Sequence, residues 1–199
     1  SIAVGRNFRF GHGGEGTAEM LIDEGRRRGI DVEIPQLVTS EDGKPISSTR
    51  VRRLISQGDI VDANVLLGRA HCLNGTVIHG DGRGAGLGIP TANIAVSGRS
   101  AIPGRGVYAG KVTIDGATWA AAINVGMAPT FRDAHDIRVE ALLIDFPGGD
   151  LYEQRAAVSF LEHLRGESKF PSAEALVAQI GADVARARDV ARGAADPLC

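Results

Sequence analysis

The chain has 199 residues, of which 43% are hydrophobic, and its formal net charge is −2. This hydrophobic share is typical of globular proteins, the charge provides no basic surface for nucleic acid, and no apolar run approaches the roughly 20 residues of a membrane span. We therefore expect one or two globular domains that bind neither nucleic acid nor membrane. Because the chain has only two cysteines and no recognisable secretory leader, we expect a reduced, cytoplasmic protein.

The beginning of the chain predicts one β-α-β unit. Residues 1–4 resemble the end of a strand, residues 17–28 a helix that ends at Gly29, and residues 30–34 a second strand. One such unit has too few strands for an independent parallel sheet, which is normally covered on both faces. We therefore interpret this region as part of a larger α/β domain.

Two short helices are predicted next. Ser47 or Ser48 can cap the first, Gly58 ends it, and Asp59 can cap the second. Serines followed by arginines at a helix start suit an anion, although ordinary capping explains most of these residues.

From about residue 70 the hydrophobic period changes to two, which predicts an antiparallel β domain. Asp115-Gly116 is typical of a type I′ hairpin turn. Short strands separated by Gly and Pro indicate a small barrel or sandwich. The predicted strands cover residues 75–79, 107–114, 117–125, 137–146 and 156–161.

A final helix is predicted after the strands. Ser172 is suited to cap it, because a serine hydroxyl can accept a hydrogen bond from a free N–H of the first turn. Its apolar stripe comprises Leu176, Val177, Ile180 and Val184.

The glycine-rich stretch from His79 to Asn93 carries much of the predicted chemistry. Glycines at alternate positions allow a ligand or another backbone to come close, and successive N–H groups can face one anion. Thr91 and Asn93 suit a phosphate or a hydrated magnesium ion, whereas a mobile loop ending in a turn is the alternative. The stretch lacks the ending of a P-loop, and Pro90 argues against the helix of a dinucleotide-binding fingerprint. The alternating glycines are Gly80, Gly82, Gly84, Gly86 and Gly88.

Glu140 is the carboxylate of greatest interest. In a strand, Val139 and Ala141 face one way, whereas Glu140 and Leu142 face the other. A carboxylate beside apolar neighbours is suited to act as a general base. The alternative is a glutamate that is solvated or paired with Arg138.

Two further segments contain residues that suit a ligand. Phe131, in the loop over residues 124–131, could form a wall for a ring-shaped ligand, or the loop could simply connect strands. Arg165 and Lys169, near an aromatic residue, could close over an anionic ligand, or the segment could be an ordinary charged loop.

Taken in order, these stretches resemble the prokaryotic bifunctional riboflavin kinase/FAD synthetase family over essentially the whole chain. Residues 4–11 and 46–52 are similar to the C-terminal part of the FMN adenylyltransferase module. The blocks similar to the kinase module cover residues 80–84, 88–93, 124–126, 129–131, 139–140, 143–146, 151–152 and 164–170.

The resemblance implies an α+β chain with two domains. Residues 70–193 would form the riboflavin kinase domain, a six-stranded antiparallel Greek-key β-barrel with a C-terminal helix. Residues 1–69 would be the C-terminal remnant of a Rossmann-like α/β nucleotidyltransferase domain with its connecting helices. The implied reaction is phosphorylation of riboflavin by ATP, with Mg²⁺, to give FMN and ADP.

The resemblance also assigns roles to individual residues. Glu140 would be the catalytic base, and Thr91 and Asn93 would bind the metal. The flavin side would be lined by Phe131, Arg165 and Lys169. The ATP phosphates would contact Gly80, Gly82, Arg83, Gly84, Gly88, Thr91 and Asn93.

Two features depart from the family pattern. Ala85 stands where the family usually carries a second arginine in the glycine loop, which leaves a non-catalytic flavin-binding barrel as an alternative function. The histidine motif of the adenylyltransferase is absent, and the segment at His12 does not supply it. We therefore expect FAD synthesis only from a longer, bifunctional parent chain. Self-association is left open by the sequence.

Overall fold

The computed structural model of the chain describes residues 1–80, 89–97, 100–127, 137–195 and 199. The chain folds into two compact units, residues 1–47 and residues 48–199. The prediction of a domain boundary between residues 69 and 70 stays a prediction. Within the described ranges, no helix is both long and apolar enough to cross a membrane.

The first unit contains the predicted β-α-β arrangement. The two outer strands pair in parallel. Thr17 caps the helix by accepting a hydrogen bond from the Met20 N–H (3.3 Å), and Gly29 ends it at φ 67°. A short antiparallel pair was not predicted, because two-residue strands are too short to show alternation. The elements are β1 (Ile2–Ala3), β2 (Arg9–Phe10), β3 (Gly16–Thr17), α1 (Ala18–Arg28) and β4 (Val32–Glu33).

The second unit begins with the two predicted helices, α2 (Ser48–Gln57) and α3 (Ile60–Leu67). Gly58 lies between them at φ 86°, a left-handed conformation that favours glycine. Asp59 occupies the N-cap position of α3, but its side chain makes no capping hydrogen bond, so the predicted cap is wrong in that detail.

The six strands that follow form a closed barrel in which every neighbouring pair is antiparallel. The strands are β5 (His71–Ile78), β6 (Ala92–Val96), β7 (Gly106–Ile114), β8 (Ala117–Met127), β9 (Ile137–Leu143) and β10 (Arg155–Arg165). Their order around the barrel is β10-β5-β6-β9-β8-β7, which confirms the expected six-stranded barrel.

The barrel interior is filled by inward-facing apolar side chains. Tyr108 and Phe160 are fully buried and meet edge-to-face, with ring centroids 5.5 Å apart. Ile60 of α3 joins the same core. The β7–β8 hairpin turns at Asp115 and Gly116, whose φ values of 48° and 78° confirm the turn expected from this dipeptide.

The last helix, α4 (Ala173–Arg192), packs against the outside of the barrel. Ser172 caps it as predicted by accepting a hydrogen bond from the Ala175 N–H (3.2 Å). The predicted stripe is only partly correct, because Val177 is 40% exposed. The most deeply buried positions of α4 are Asp183, Ala187 and Ala191.

Cys72 of β5 and Cys199 form a disulfide, with Cα atoms 5.7 Å apart. The expectation of a fully reduced chain is therefore wrong for this structure. The two cysteines are 127 residues apart, and such a pairing depends on folded geometry that sequence spacing does not reveal.

Candidate functional site

Three polar residues lie in one row on the outer wall of the barrel. Glu140 of β9 pairs with Asn93 of β6 on one side and with Asn124 of β8 on the other. Residues directly opposite one another on neighbouring strands share a face of the sheet, with Cβ atoms about 5 Å apart. Val139 and Ala141 flank Glu140 and are buried in the barrel core, so the row faces outward.

An apolar row runs beside this polar row. Leu142 follows Glu140 by two positions and pairs with Ala122 of β8. Both belong to the apolar cluster that includes Val184 and Ala187 of α4. Residues two positions apart on a strand are about 7 Å apart and share a face of the sheet. Glu140 therefore lies about 7 Å from the apolar surface that Leu142 and Ala122 form.

A cavity of about 440 Å³ is lined by members of both rows. Three residues that the sequence predicts for the site, Thr91, Glu140 and Arg165, line it together. Ligand pockets commonly have volumes of roughly 300–1,000 Å³, so the cavity is large enough for a small organic ligand. Its apolar lining comprises Ile89, Val107, Ala122, Leu142, Phe170, Leu176 and Ile180.

Glu140 is held by an ion pair on its own strand. Arg138 Nη1 lies 3.3 Å from Glu140 Oε1, and both side chains are partly buried. The alternative of pairing with Arg138 is therefore observed, but it engages only one carboxylate oxygen. Among the described residues, none donates a hydrogen bond to Oε2, which leaves this oxygen free to accept a proton.

Asn93 packs directly against Gly80. A Cβ atom on Gly80 would collide with the Asn93 side-chain amide, so a glycine is required where the glycine loop begins. Asn93 Oδ1 is buried and has no hydrogen-bond partner among the residues that the structure describes. A buried acceptor without a partner is costly, and a cation or a donor from a ligand would satisfy it.

Arg165 is engaged by α4. Its Nε lies 3.1 Å from each oxygen of Asp183, and its Nη2 lies 2.8 Å from Oδ2. Its guanidinium carbon is 5.5 Å from the centre of the Phe170 ring, within the range of a cation–π contact. Arg165 therefore lines the cavity, but its Nε and Nη2 groups already donate hydrogen bonds to Asp183.

Of the predicted site residues that the structure describes, Gly80, Asn93 and Lys169 do not line this cavity. Lys169 is exposed, and the cavity is lined by its neighbours Ser168 and Phe170 instead. The other positions lie outside the described residues: Gly82, Arg83, Gly84, Gly88 and Phe131.

Sequence reasoning did not assign a site role to two residues that line the cavity, Asn124 and Asp183. Asn124 becomes noticeable only when strand register is known, because it aligns with Glu140 across β8 and β9. The sequence pattern could have identified Asp183, because it is a carboxylate on the helix face that otherwise carries Ile180, Val184 and Ala187. An acidic residue on an apolar helix face needs a buried partner.

Both parts of the chain are similar to known protein families. The family model described as riboflavin kinase matches residues 67–191, and the model described as FAD synthetase matches residues 1–50. The bifunctional riboflavin kinase/FMN adenylyltransferase of Pseudomonas fluorescens is 40% identical over 190 residues, covering 96% of this chain and 60% of that protein. The protein of the same name from Listeria monocytogenes is 37% identical over 182 residues, covering 92% of this chain and 57% of the relative.

A solved structure is similar as well. The crystal structure described as a macrolide-efflux protein from Streptococcus pneumoniae matches with a TM-score of 0.80 and 35% identity, covering 92% of this chain and 58% of that one. The chain thus spans about 60% of the length of the curated relatives that it matches. Because the riboflavin kinase model covers most of the barrel unit and more than half of the chain, the chain belongs to the riboflavin kinase family.

Proposed function

We propose that the chain is a riboflavin kinase, which transfers the γ-phosphoryl group of ATP to the 5′-hydroxyl of riboflavin and releases FMN and ADP. The observation that carries this proposal is the arrangement around Glu140, which lines one cavity with Thr91 and pairs in register with Asn93. Phosphoryl transfer requires mainly positioning, charge stabilisation and a group that accepts the hydroxyl proton. The matching family model supports the same assignment.

The two rows of the cavity suit the two parts of riboflavin. The tricyclic ring is planar and largely apolar, and the cavity offers Ala122, Leu142 and Ile180 for such a surface. The ribityl chain carries hydroxyl groups, which match the polar side chains of Asn124 and Glu140. A flavin bound in this orientation would direct its terminal hydroxyl towards the carboxylate.

Glu140 would act as the general base. As the 5′-oxygen bonds to the γ-phosphorus, the bond from that phosphorus to the oxygen bridging to the β-phosphate breaks, and ADP departs with that bond's electron pair. The hydroxyl proton moves to the carboxylate. Oε2 is the suitable acceptor, because Oε1 receives the hydrogen bond from Arg138.

Thr91 and Asn93 fit a magnesium ion that accompanies ATP. Both present hard oxygen donors, and Asn93 Oδ1 is a buried acceptor for which the described chain offers no donor. The described residues contain no cluster of three His, Cys, Asp or Glu side chains, which fits an ion shared with substrate phosphates rather than caged by protein. When bound, the ion would neutralise charge on the phosphoryl oxygens.

The glycine loop would cover the ATP phosphates. Gly80, Gly82, Gly84 and Gly88 would allow backbone N–H groups to approach the phosphates closely, and Arg83 would add a cation. Phe131 and Lys169 would lie on the flavin side. These roles are carried over from the family resemblance, and each can be tested by substitution.

The direct test is to incubate the purified chain with riboflavin, ATP and Mg²⁺ and to separate the flavins by chromatography with fluorescence detection. We expect FMN to accumulate in a 1:1 ratio with ADP. If the folded chain quenches riboflavin fluorescence by binding it but forms no FMN, the kinase proposal is wrong. The non-catalytic flavin-binding barrel, which Ala85 favours, would then be the better function.

We infer a second activity only for a longer parent chain. The FAD synthetase model matches residues 1–50, and the named relatives are bifunctional. Residues 1–69 would then be the end of an FMN adenylyltransferase domain, with residues 70–193 as the kinase domain. Incubating this chain of 199 residues with FMN and ATP should yield no FAD, whereas a longer parent chain should form it.

A further inference from the structure

Asp183 is a buried carboxylate on the barrel-facing side of α4. The residue is 6% exposed. A carboxylate buried beside apolar side chains is costly unless it is paired and fully hydrogen-bonded. Asp183 satisfies this requirement, because the forked guanidinium of Arg165 contacts both of its oxygens and Gln179 Nε2 donates to Oδ1 (2.9 Å).

The same contacts occupy the donors of Arg165. Nε and Nη2 are directed to Asp183, and Nη1 donates to the Gly166 carbonyl (3.1 Å). Arg165 is therefore poorly placed to bind an anionic ligand with these groups, although it lines the cavity. The guanidinium carbon also lies 5.5 Å from the centre of the Phe170 ring.

Phe170 is the part of this arrangement that a flat ligand would meet. Its ring lines the cavity together with Leu176 and Ile180 of α4. The segment that carries it also approaches the barrel at Glu167, whose Oε1 lies 2.8 Å from the position that a Cβ atom on Gly126 would occupy. The Phe170 ring therefore faces the same cavity as residues of α4 and of the barrel wall.

We propose that Asp183 is a positioning residue, which orients Arg165 so that the Phe170 ring is held against the planar ring system of the substrate. This role rests on the riboflavin kinase function proposed above. Asp183 acts through Arg165 and contacts no reacting atom, so it should govern flavin affinity rather than the phosphoryl-transfer step. Loss of the charge would release the guanidinium and leave Phe170 free to rotate away.

A second ion pair provides a matched control. Arg186 Nη2 lies 2.8 Å from Glu162 Oε1, and it joins the same helix to the same strand as Arg165 and Asp183 do. Neither Arg186 nor Glu162 lines the cavity. Replacing Glu162 therefore measures the effect of loosening α4 without disturbing the proposed arrangement.

The test compares Asp183→Asn, Phe170→Leu, their double variant and Glu162→Gln. Riboflavin affinity is measured by fluorescence quenching without ATP, and kcat and both KM values by FMN formation. We expect Asp183→Asn to weaken riboflavin binding and raise its KM about tenfold, with kcat and the KM for ATP within about twofold. Glu162→Gln should leave all four values unchanged.

The double variant decides whether the residues act as one unit. Coupled residues give non-additive effects, so Asp183→Asn should weaken flavin binding little further once Phe170 is replaced. Additive losses, or an equal loss in Glu162→Gln, would overturn the proposal. If Asp183→Asn does not fold, Arg165→Lys takes its place in the same cycle with the same criteria. Wild-type protein that binds riboflavin without forming FMN would refute the kinase function alone, because the binding cycle needs no turnover.

Discussion

The two units of the chain differ in how they are stabilised. Residues 48–199 enclose a core of large apolar side chains that includes Leu73, Ile123 and Phe160. Residues 1–47 are all described, and the only residues they bury are Gly16, Ala18 and Gly25. Several of their large apolar side chains are exposed, among them Met20, Leu37 and Val38.

From this difference we expect the second unit, but not the first, to fold by its own interactions. Segments of about 40 residues seldom fold alone without extra restraints, and the first unit has no core that would compensate. The second unit contains both the barrel core and every described residue of the candidate site. We therefore expect substitutions in the second unit to have large effects, and equivalent substitutions in the first to have small ones.

The largest difference in kcat is expected between substitutions of two glutamates that lie in strands, Glu140 and Glu33. Glu140→Gln removes the proposed base while it preserves shape, so kcat for FMN formation should fall by about 10²–10⁴. The dissociation constant for riboflavin should change little, because the amide retains polar contact with the flavin hydroxyls. Glu33→Gln, at an exposed position of β4 in the first unit, is the control and should leave kcat unchanged. A Glu140→Gln enzyme with normal kcat would contradict the assigned role.

A second contrast concerns glycines where a Cβ atom would collide. At Gly110 in β7, a Cβ atom would overlap the Ser159 carbonyl oxygen and Ile123 Cδ1. Because the barrel wall cannot yield freely, Gly110→Ala should lower the free energy of unfolding by about 3 kcal/mol, measured by urea denaturation. Gly181→Ala, in open space on α4, is the control and should raise it by about 0.5–1 kcal/mol.

The equivalent collision in the first unit tests the comparison directly. At Gly25 in α1, a Cβ atom would lie 2.6 Å from Val32 Cγ2 and 2.7 Å from the Ile30 carbonyl oxygen. Gly25→Ala should nevertheless leave the main urea transition within about 0.5 kcal/mol of wild type, since that transition reports the barrel core. An effect as large as that of Gly110→Ala would show that the two units unfold together.

These contrasts also separate what the sequence revealed from what it could not. Alternation around Val139 and Ala141 identified the inward face of β9, and Asp115-Gly116 identified the hairpin turn, because both signals are local. Strand β9 was predicted to continue to residue 146 but ends at Leu143. Asp145 follows at φ 61°, which begins a turn that the apolar residues around it conceal.

The site itself required information that no local pattern carries. The alignment of Asn93, Glu140 and Asn124 depends on the register of three strands that are far apart in sequence. The family resemblance supplied Glu140 and Thr91 for the site, but not the Asp183–Arg165 pair, whose partners come from different elements. Long-range pairing therefore determined most of what the sequence missed.

A smaller difference, in the pH dependence of stability, is expected between substitutions of two histidines, His71 and His12. Burial lowers the pKa of His71 below its usual 6.5, although the hydrogen bond with the Ala101 carbonyl opposes this and Arg69 adds to it. The unfolded chain therefore binds the proton more readily than the folded chain. Above pH 6.5, His71 should make its full contribution to the free energy of unfolding. As the pH falls from there towards the folded-state pKa, the free energy of unfolding should decrease by at most about 1.4 kcal/mol per pH unit.

Urea denaturation between pH 7.5 and 5 would measure this dependence, over a range chosen to bracket the usual histidine pKa of about 6.5. His71→Gln should flatten the profile, and His12→Gln, at an exposed position of the first unit, is the matched control. Identical profiles for His71→Gln and wild type would mean that His71 contributes no pH dependence.

Removal of the first unit is also expected to have a small effect on stability and turnover. A fragment of residues 46–199 retains the start of α2 together with the barrel, α4 and every described residue that lines the cavity. Because its core is formed by its own residues, its free energy of unfolding should lie within about 1 kcal/mol of the full chain, a change of about 2–4 °C in Tm. Its kcat for FMN formation should also equal that of the full chain.

A fragment that folds but has lost turnover would show that residues 1–45 contribute to the kinase site. A fragment that does not fold would show that the barrel core is insufficient by itself, and the contrast between the two units would then reflect dependence rather than independence.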